Sequence, residues 1–344
     1  MMLKPLTTAL AALFLVQAPD AFAAKAAKRL FGKEVSTAAA LKPAVYGTYN
    51  RGCLAGGEKL ADDGPTWQAM RPNRNRHWAH PELISLVKQL SRDGKKVGWN
   101  GLLVGDLTQP RGGPMWTGHA SHQAGLDADI WLTPMPNRRL SRKERNETFQ
   151  PISMRARGAN GKLTHQKLNP KAFTDAHAGI IRTAAQYRNV ERIFVHPTIK
   201  REMCRRYPSQ PKWLAKVRAQ YGHHYHMHIR IGCPAGSTGC KSQRPVPSMG
   251  CDQATMDYWF KVAYGPPRKP KPGEKPVVRK PKPPITLAQL PQQCRTVLTA
   301  PGIDGSPSKV AFASSGAGAS PAAKAAASLG DLNRIATPTP RPAN

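Results

Sequence analysis

Hydrophobic positions along the chain recur with two different spacings, and each spacing names a kind of element. Leu83, Leu86, Val87 and Leu90 fall on one face of a helical repeat that opens at Pro81 and stops at Gly94, which predicts an amphipathic helix. Phe173, His177, Ile180, Ile181 and Ala184 repeat in the same way and predict a second helix. The apolar run from Gly101 to Leu107 and the shorter one from Arg192 to Val195 read as strands. Strict alternation marks two more strands. In Asp127-Ala128-Asp129-Ile130-Trp131-Leu132 the carboxylates and Trp131 share one face, and Ala128, Ile130 and Leu132 form an apolar layer. In His226-Met227-His228-Ile229-Arg230-Ile231 the two imidazoles and Arg230 lie opposite Met227, Ile229 and Ile231. With no internal repeat, the pattern predicts a mixed α+β fold.

Composition narrows the class. Of 344 residues, 52 are Lys or Arg and 20 are Asp or Glu, a formal charge of +32 that excludes a membrane bundle and extends into the folded body. The 40% hydrophobic content is enough for one substantial core, so wholesale disorder is excluded too. The 33 Pro and 29 Gly predict a loop-rich fold. Lys4, the uncharged stretch Leu6 to Val16 and the small-x-small triplet Ala21-Phe22-Ala23 read as a secretory signal peptide over residues 1–23, with an exported chain starting near Ala24. That stretch is shorter than the roughly 20 residues a permanent membrane span needs. Six cysteines, Cys53, Cys204, Cys233, Cys240, Cys251 and Cys294, then read as disulfides of an oxidising compartment, although their spacing leaves the pairing open. The layout expected is a folded domain over residues 24–264, a Pro/Lys-rich strap over residues 265–294 that ends in a cysteine, and a disordered tail over residues 295–344.

The candidate chemistry lies in the histidines. Six of the eleven fall in two short segments, His119 and His122 ahead of the Asp127 strand, and His223, His224, His226 and His228 at the second alternating strand. Gly125 permits a tight approach that lets His122 converge with Asp129, and the second strand adds an imidazole. Two imidazoles and one carboxylate suit a catalytic Zn²⁺, which keeps a further position for water and makes that water nucleophilic near neutral pH. A scatter of surface histidines is the bland alternative. The rival motifs H-E-x-x-H, G-x-S-x-G and the phosphate-binding G-K-S/T loop are missing from the sequence, and Ser121 faces away from its neighbour His122 on an extended segment.

The blocks Ser121-His122-Gln123-Ala124-Gly125-Leu126-Asp127-Ala128-Asp129 and His226-Met227-His228-Ile229-Arg230 resemble the penicillin-insensitive murein endopeptidases, which share a zinc fold with lysostaphin-type peptidases, D-Ala-D-Ala metallopeptidases and the hedgehog domain. The likeness runs from about Leu41 to Cys294 and includes Arg74-Asn75-Arg76, His80-Pro81, Gly105-Asp106, Ile193-Phe194-Val195 and Cys233-Pro234-Ala235. It implies an α+β single domain, with a central antiparallel sheet carrying the zinc site and disulfide staples. It implies His122, Asp129 and His228 as zinc ligands, His226 as the residue that handles the water proton or the developing oxyanion, and His223 as a further active-site histidine. His119 matches a second-metal or substrate-side ligand, although Asn160-Gly161-Lys162-Leu163 stands where an Asp and His pair is expected. Asp127 is expected to fix a ligand's orientation and His224 to face solvent. Trp116, Trp131 and Tyr225 are candidates for a substrate groove or for core. The resemblance also implies the pairs Cys53–Cys294, Cys204–Cys251 and Cys233–Cys240.

The function this implies is a periplasmic zinc peptidase that cleaves the D-alanyl-meso-diaminopimelyl cross-link of peptidoglycan without a serine nucleophile, and hence insensitive to penicillin. The positive surface suits a polymer bearing free carboxylates. Nucleic acid is excluded as a partner by the export signal and the lack of a basic-aromatic reading motif. The alternatives are a D-Ala-D-Ala carboxypeptidase of the same fold and a non-catalytic zinc-stabilised wall-binding module.

Overall fold

The structure, a computed structural model, describes residues 26–265 and 283–312; the signal-peptide segment, most of the strap and the end of the tail lie outside the described residues. The described residues up to Ala311 belong to one compact unit. A hairpin of β1 (Ala44–Thr48) and β2 (Arg51–Ala55) comes first. The central sheet is built from β3 (Asp63–Gly64), β4 (Trp67–Ala69), β5 (Leu102–Val104), β6 (Asp127–Trp131), β7 (Val190–Val195), β8 (Val217–Ala219) and β9 (His226–Ile231). Its spatial order is β8-β7-β9-β6-β5-β4-β3. β6 and β9, which carry the histidines and aspartates, pair antiparallel with each other and with their neighbours β5 and β7 as expected, and parallel pairings enter only farther out, at β7/β8 and β4/β5.

Helix α1 (Pro81–Asp93) starts where His80 Nδ1 accepts from the Glu82 amide, has Pro81 in its first turn, and buries Leu83, Leu86, Val87 and Leu90. Helix α2 (Asp175–Gln186) is opened by a reciprocal Thr174–His177 cap and buries Ile180, Ile181 and Ala184. Both belong to one core with Ala128 and Ile130 of β6, Leu132 just after it, and Met227, Ile229 and Ile231 of β9. The apolar faces read from alternation are therefore the faces buried, which leaves Asp127, Asp129, His226, His228 and Arg230 on the opposite side of the sheet. The register sets them side by side: His228 lies across from Asp129 and Arg230 across from Asp127. A slip of one residue would turn both sets into the apolar layer.

The three disulfides are Cys53–Cys294, Cys204–Cys251 and Cys233–Cys240. The first ties β2 to α3 (Gln293–Thr299), so the chain stays folded beyond the boundary expected at residue 294. Val297, Leu298 and Val310 are buried, and the buried Arg111 donates from Nη1 to the carbonyl oxygens of Val297, Leu298 and Ala300 at the end of that helix. At the other end Ala27, Leu30 and Phe31 are fully buried, within the domain expected from residue 24. Composition misses the C-terminal extension because short apolar groups inside an Ala- and Pro-rich stretch give no sustained period.

Candidate metal centre

Three strand and loop segments converge on the polar face of β6 and β9. His122 stands on the loop between β5 and β6 in a left-handed conformation, φ +65°, and its amide donates to Asp127 Oδ2 at 2.9 Å. Gly125, φ +70°, makes the loop's return possible: a Cβ there would lie 2.7 Å from Leu54 Cδ2 and 3.2 Å from the His80 amide. His122 Nδ1 donates to Leu107 O at 2.5 Å, so its Nε2 carries the lone pair and faces inward. His228 Nε2 lies 3.0 Å from Asp127 Oδ1, obliquely to it, which leaves Nδ1 to face inward from β9.

His122 Nε2, His228 Nδ1 and Asp129 Oδ1 then form a triangle with sides of 3.2, 3.3 and 3.4 Å. Tetrahedral ligands about 2.0–2.1 Å from a zinc ion would stand roughly 3.3 Å apart. Asp129 Oδ1 is buried and accepts no hydrogen bond. A buried carboxylate oxygen that meets two imidazole lone pairs is unfavourable unless a cation joins them, so the residues fit a metal ion. His119 can add to the set, because it, His122 and Asp129 offer ligand atoms all within 4.8 Å of one another.

The electrostatics follow from burial and neighbours. Burial opposes the charge on Asp129, yet His226 and His122 hold its pKa well below the ordinary carboxylate value. Burial likewise opposes ionisation of Asp127, and Arg230 and His228 overcome it. Arg230 donates to both Asp127 oxygens, at 2.6 and 3.1 Å, and is held between the rings of Tyr49 and Phe194. Asp127 thus touches His122, His228 and Arg230, the orienting role expected of it. Arg230 was legible only as a member of the histidine face.

His226 Nε2 is 3.6 Å from Asp129 Oδ1, and burial pushes the imidazole pKa down to about 4. His223, also left-handed at φ +50°, has its ring 4.9 Å from that of His226 and 5.7 Å from that of His228. Its Nδ1 donates to Tyr221 O, and burial together with His226 and His228 lowers its pKa to about 3. His224 turns away from the centre to Ser153 Oγ, 3.0 Å distant, and is half-buried where solvent exposure was expected. His119 meets a carboxylate that residue pattern alone did not single out: its Nε2 is 3.0 Å from Asp106 Oδ2, and its Nδ1 is 3.6 Å from Asp129 Oδ2. Asp106 stays ionised against burial because His119, Arg76 and Arg74 surround it. The only sequence signal for it was a Gly-Asp step at the end of the β5 run. Asn160 and Leu163 line a different cavity beside His165 and Tyr264.

Two cavities flank the centre, and His119 lines both. One of about 530 Å³ lies on the His223 and His228 side and the other, of about 350 Å³, on the Asp129 and His226 side. Trp131 and Tyr225 line the smaller one, whereas Trp116 packs with Lys28 and Lys33 instead.

Residues 45–299 match the family model of the penicillin-insensitive murein endopeptidases. A penicillin-insensitive murein endopeptidase of Haemophilus influenzae is 36% identical over 261 residues, 76% of this chain and 84% of that protein. One of Yersinia enterocolitica is 36% identical over 267 residues, covering 77% and 89%, and one of Klebsiella pneumoniae is 36% identical over 253 residues, covering 73% and 85%. The match spans β1 to α3 and takes in every side chain of the metal centre, so this chain belongs to the penicillin-insensitive murein endopeptidase family.

Proposed function

We propose that this protein is an exported zinc metallopeptidase, a murein endopeptidase that hydrolyses the D-alanyl-meso-diaminopimelyl cross-link of peptidoglycan in the periplasm. The observation that carries the reading is the triangle of His122 Nε2, His228 Nδ1 and Asp129 Oδ1, with sides of 3.2–3.4 Å, open to a cavity on either side. Bound zinc supplies Lewis acidity, polarising the scissile carbonyl and making water nucleophilic near neutral pH.

The chain's own residues do the rest. Leu107 O holds the His122 imidazole in the tautomer that aims a lone pair inward, and the Asp127 carboxylate, 3.0 Å from His228 Nε2, favours a proton on that nitrogen and so a lone pair on Nδ1. His226, kept neutral by burial, presents an N–H to the carbonyl oxygen as it gains negative charge. His223, its ring 4.9 Å from that of His226, lines the larger cavity on the other side of the centre. Cavities on both sides leave room for peptide on both sides of the scissile bond, which favours an endopeptidase over a carboxypeptidase that trims one end. No serine enters this scheme, so a β-lactam has nothing to acylate. Export is supported by the pattern of residues 1–23, and among the described residues no helix is long and apolar enough to cross a membrane.

The test is mass analysis of products from purified muropeptide dimers with and without a chelator. Monomers released only by the metal-loaded protein, in the presence of penicillin, support the reading. Intact dimers, or cleavage that survives complete metal removal, overturn it.

A further inference from the structure

The cavity on the Asp129 and His226 side differs in charge from its counterpart. Arg71 and Arg74 both line it, together with Gln150 and Tyr225. The larger cavity is lined mainly by neutral hydrogen-bonding side chains such as Thr48, Asn50 and Gln220; its one guanidinium, Arg230, is paired with Asp127, and Lys241 adds an ammonium rather than a planar fork. In the smaller cavity the negative charge is already taken: Asp129 belongs to the metal centre, and Asp106 Oδ2 is shared by Arg76 at 3.1 Å, Arg74 at 3.4 Å and His119 at 3.0 Å. Among the described residues Arg71 pairs with no carboxylate. Its Nη atoms donate to Arg145 O, Phe149 O and Gln150 Oε1, and burial and the nearby Arg74 push its pKa below the ordinary value.

The backbone holds this pair of cations in place. The turn Pro72–Arg74 is bracketed by two left-handed non-glycine residues, Arg71 at φ +60° and Asn75 at φ +52°. Such conformations are unfavourable and persist where surrounding contacts enforce them. Here those contacts are the Arg71 amide on Arg145 O, the Asn73 amide on Asn146 Oδ1, and Asn75 between Ser36 O and the Trp78 indole. Arg71, which has no carboxylate partner among the described residues, and Arg74, which only shares Asp106 with Arg76 and His119, together form a receptor for a planar anion beside the reaction centre.

We propose that Arg74, backed by Arg71, binds the free carboxylate on the carbon bonded to the scissile nitrogen, so that the smaller cavity receives the leaving-group side of the cross-link. This rests on the endopeptidase reading and adds to it a direction for the substrate and a chemical requirement. In the diaminopimelyl residue the amine that forms the cross-link sits on a carbon that also bears a carboxylate. Amidating that group removes its charge while leaving the scissile bond unchanged. The metal ligands lie on β6, β9 and the loop between β5 and β6, so substituting Arg74 leaves them in place, and Asp106 keeps Arg76 and His119.

The experiment compares two muropeptide dimers, one with that carboxylate free and one with it amidated, using the metal-loaded full chain. The wild type should cleave the acid with a kcat/KM about ten- to a hundredfold above the amide, the range of a lost charge-assisted contact. Arg74→Ala should lose that preference through a raised KM for the acid while retaining wild-type metal content; Arg74→Lys should recover part of it. Arg71→Gln provides a second variant with the same expectation. Equal cleavage of both dimers by the wild type, or an unchanged acid preference in both variants, overturns the subsite while leaving the endopeptidase reading intact. Failure of the wild type to cleave either dimer overturns that reading, and the subsite with it.

Discussion

Asp127 and Arg230 face one another across adjacent antiparallel strands, and Arg230 Nε and Nη2 donate to the two oxygens of the Asp127 carboxylate. The same carboxylate accepts from the His122 amide and lies 3.0 Å from His228 Nε2, so one buried group orients two imidazoles. Asp127→Asn should leave the ligand triangle intact but weaken it, lowering metal affinity about 10- to 100-fold. Competition against a chromogenic chelator measures this, and unchanged affinity would remove Asp127 from the role.

The two imidazoles of β9 should separate metal binding from turnover. His228→Ala should lose bound metal and dimer cleavage together. His226→Ala should keep its metal and lose about 10²- to 10³-fold in kcat, the size of one oxyanion contact. Metal content by mass spectrometry beside single-turnover rates distinguishes the two, and wild-type turnover by the His226 variant would reject its assignment.

The Cys53–Cys294 bridge spans 241 residues. In the loop-entropy model, closing so long a loop is worth about 5 kcal/mol. The Cys53→Ala, Cys294→Ala double variant should therefore unfold at a much lower urea concentration, even though Arg111 still caps α3. A midpoint within error of the wild type would refute the assigned contribution.

Lys200 is buried, with Nζ donating to Leu214 O and Met249 O, and burial together with Arg218 lowers its pKa to about 7. The unfolded chain keeps that proton up to about pH 10.4. Between those values the unfolded state holds more protons, so this group makes stability rise with pH, by at most about 1.4 kcal/mol per unit. Relative to Lys200→Met, the wild type should gain stability from pH 7 to 10 in denaturant titrations. Parallel curves for the two proteins would contradict the burial argument.

Alternation alone was enough to choose which side chains of β6 and β9 turn toward the core, because neighbours on a strand must point to opposite faces. The helices of Pro81–Asp93 and Asp175–Gln186 were legible for the same local reason, with their caps written in adjacent residues. Asp106 was not, since its partners His119, Arg74 and Arg76 come from 13 to 32 positions away.

The sequence by itself determined the kind of chemistry: imidazoles and a carboxylate on the polar faces of two strands, in a chain that opens on a signal-peptide pattern and carries an even number of cysteines. Only the tertiary structure decided that His228 stands across from Asp129, that Leu107 O selects the His122 tautomer, and that Arg71 and Arg74 border the same centre. Periodicity is a property of neighbouring residues, whereas strand register and loop closure depend on contacts between segments a hundred positions apart, such as His122 with His228.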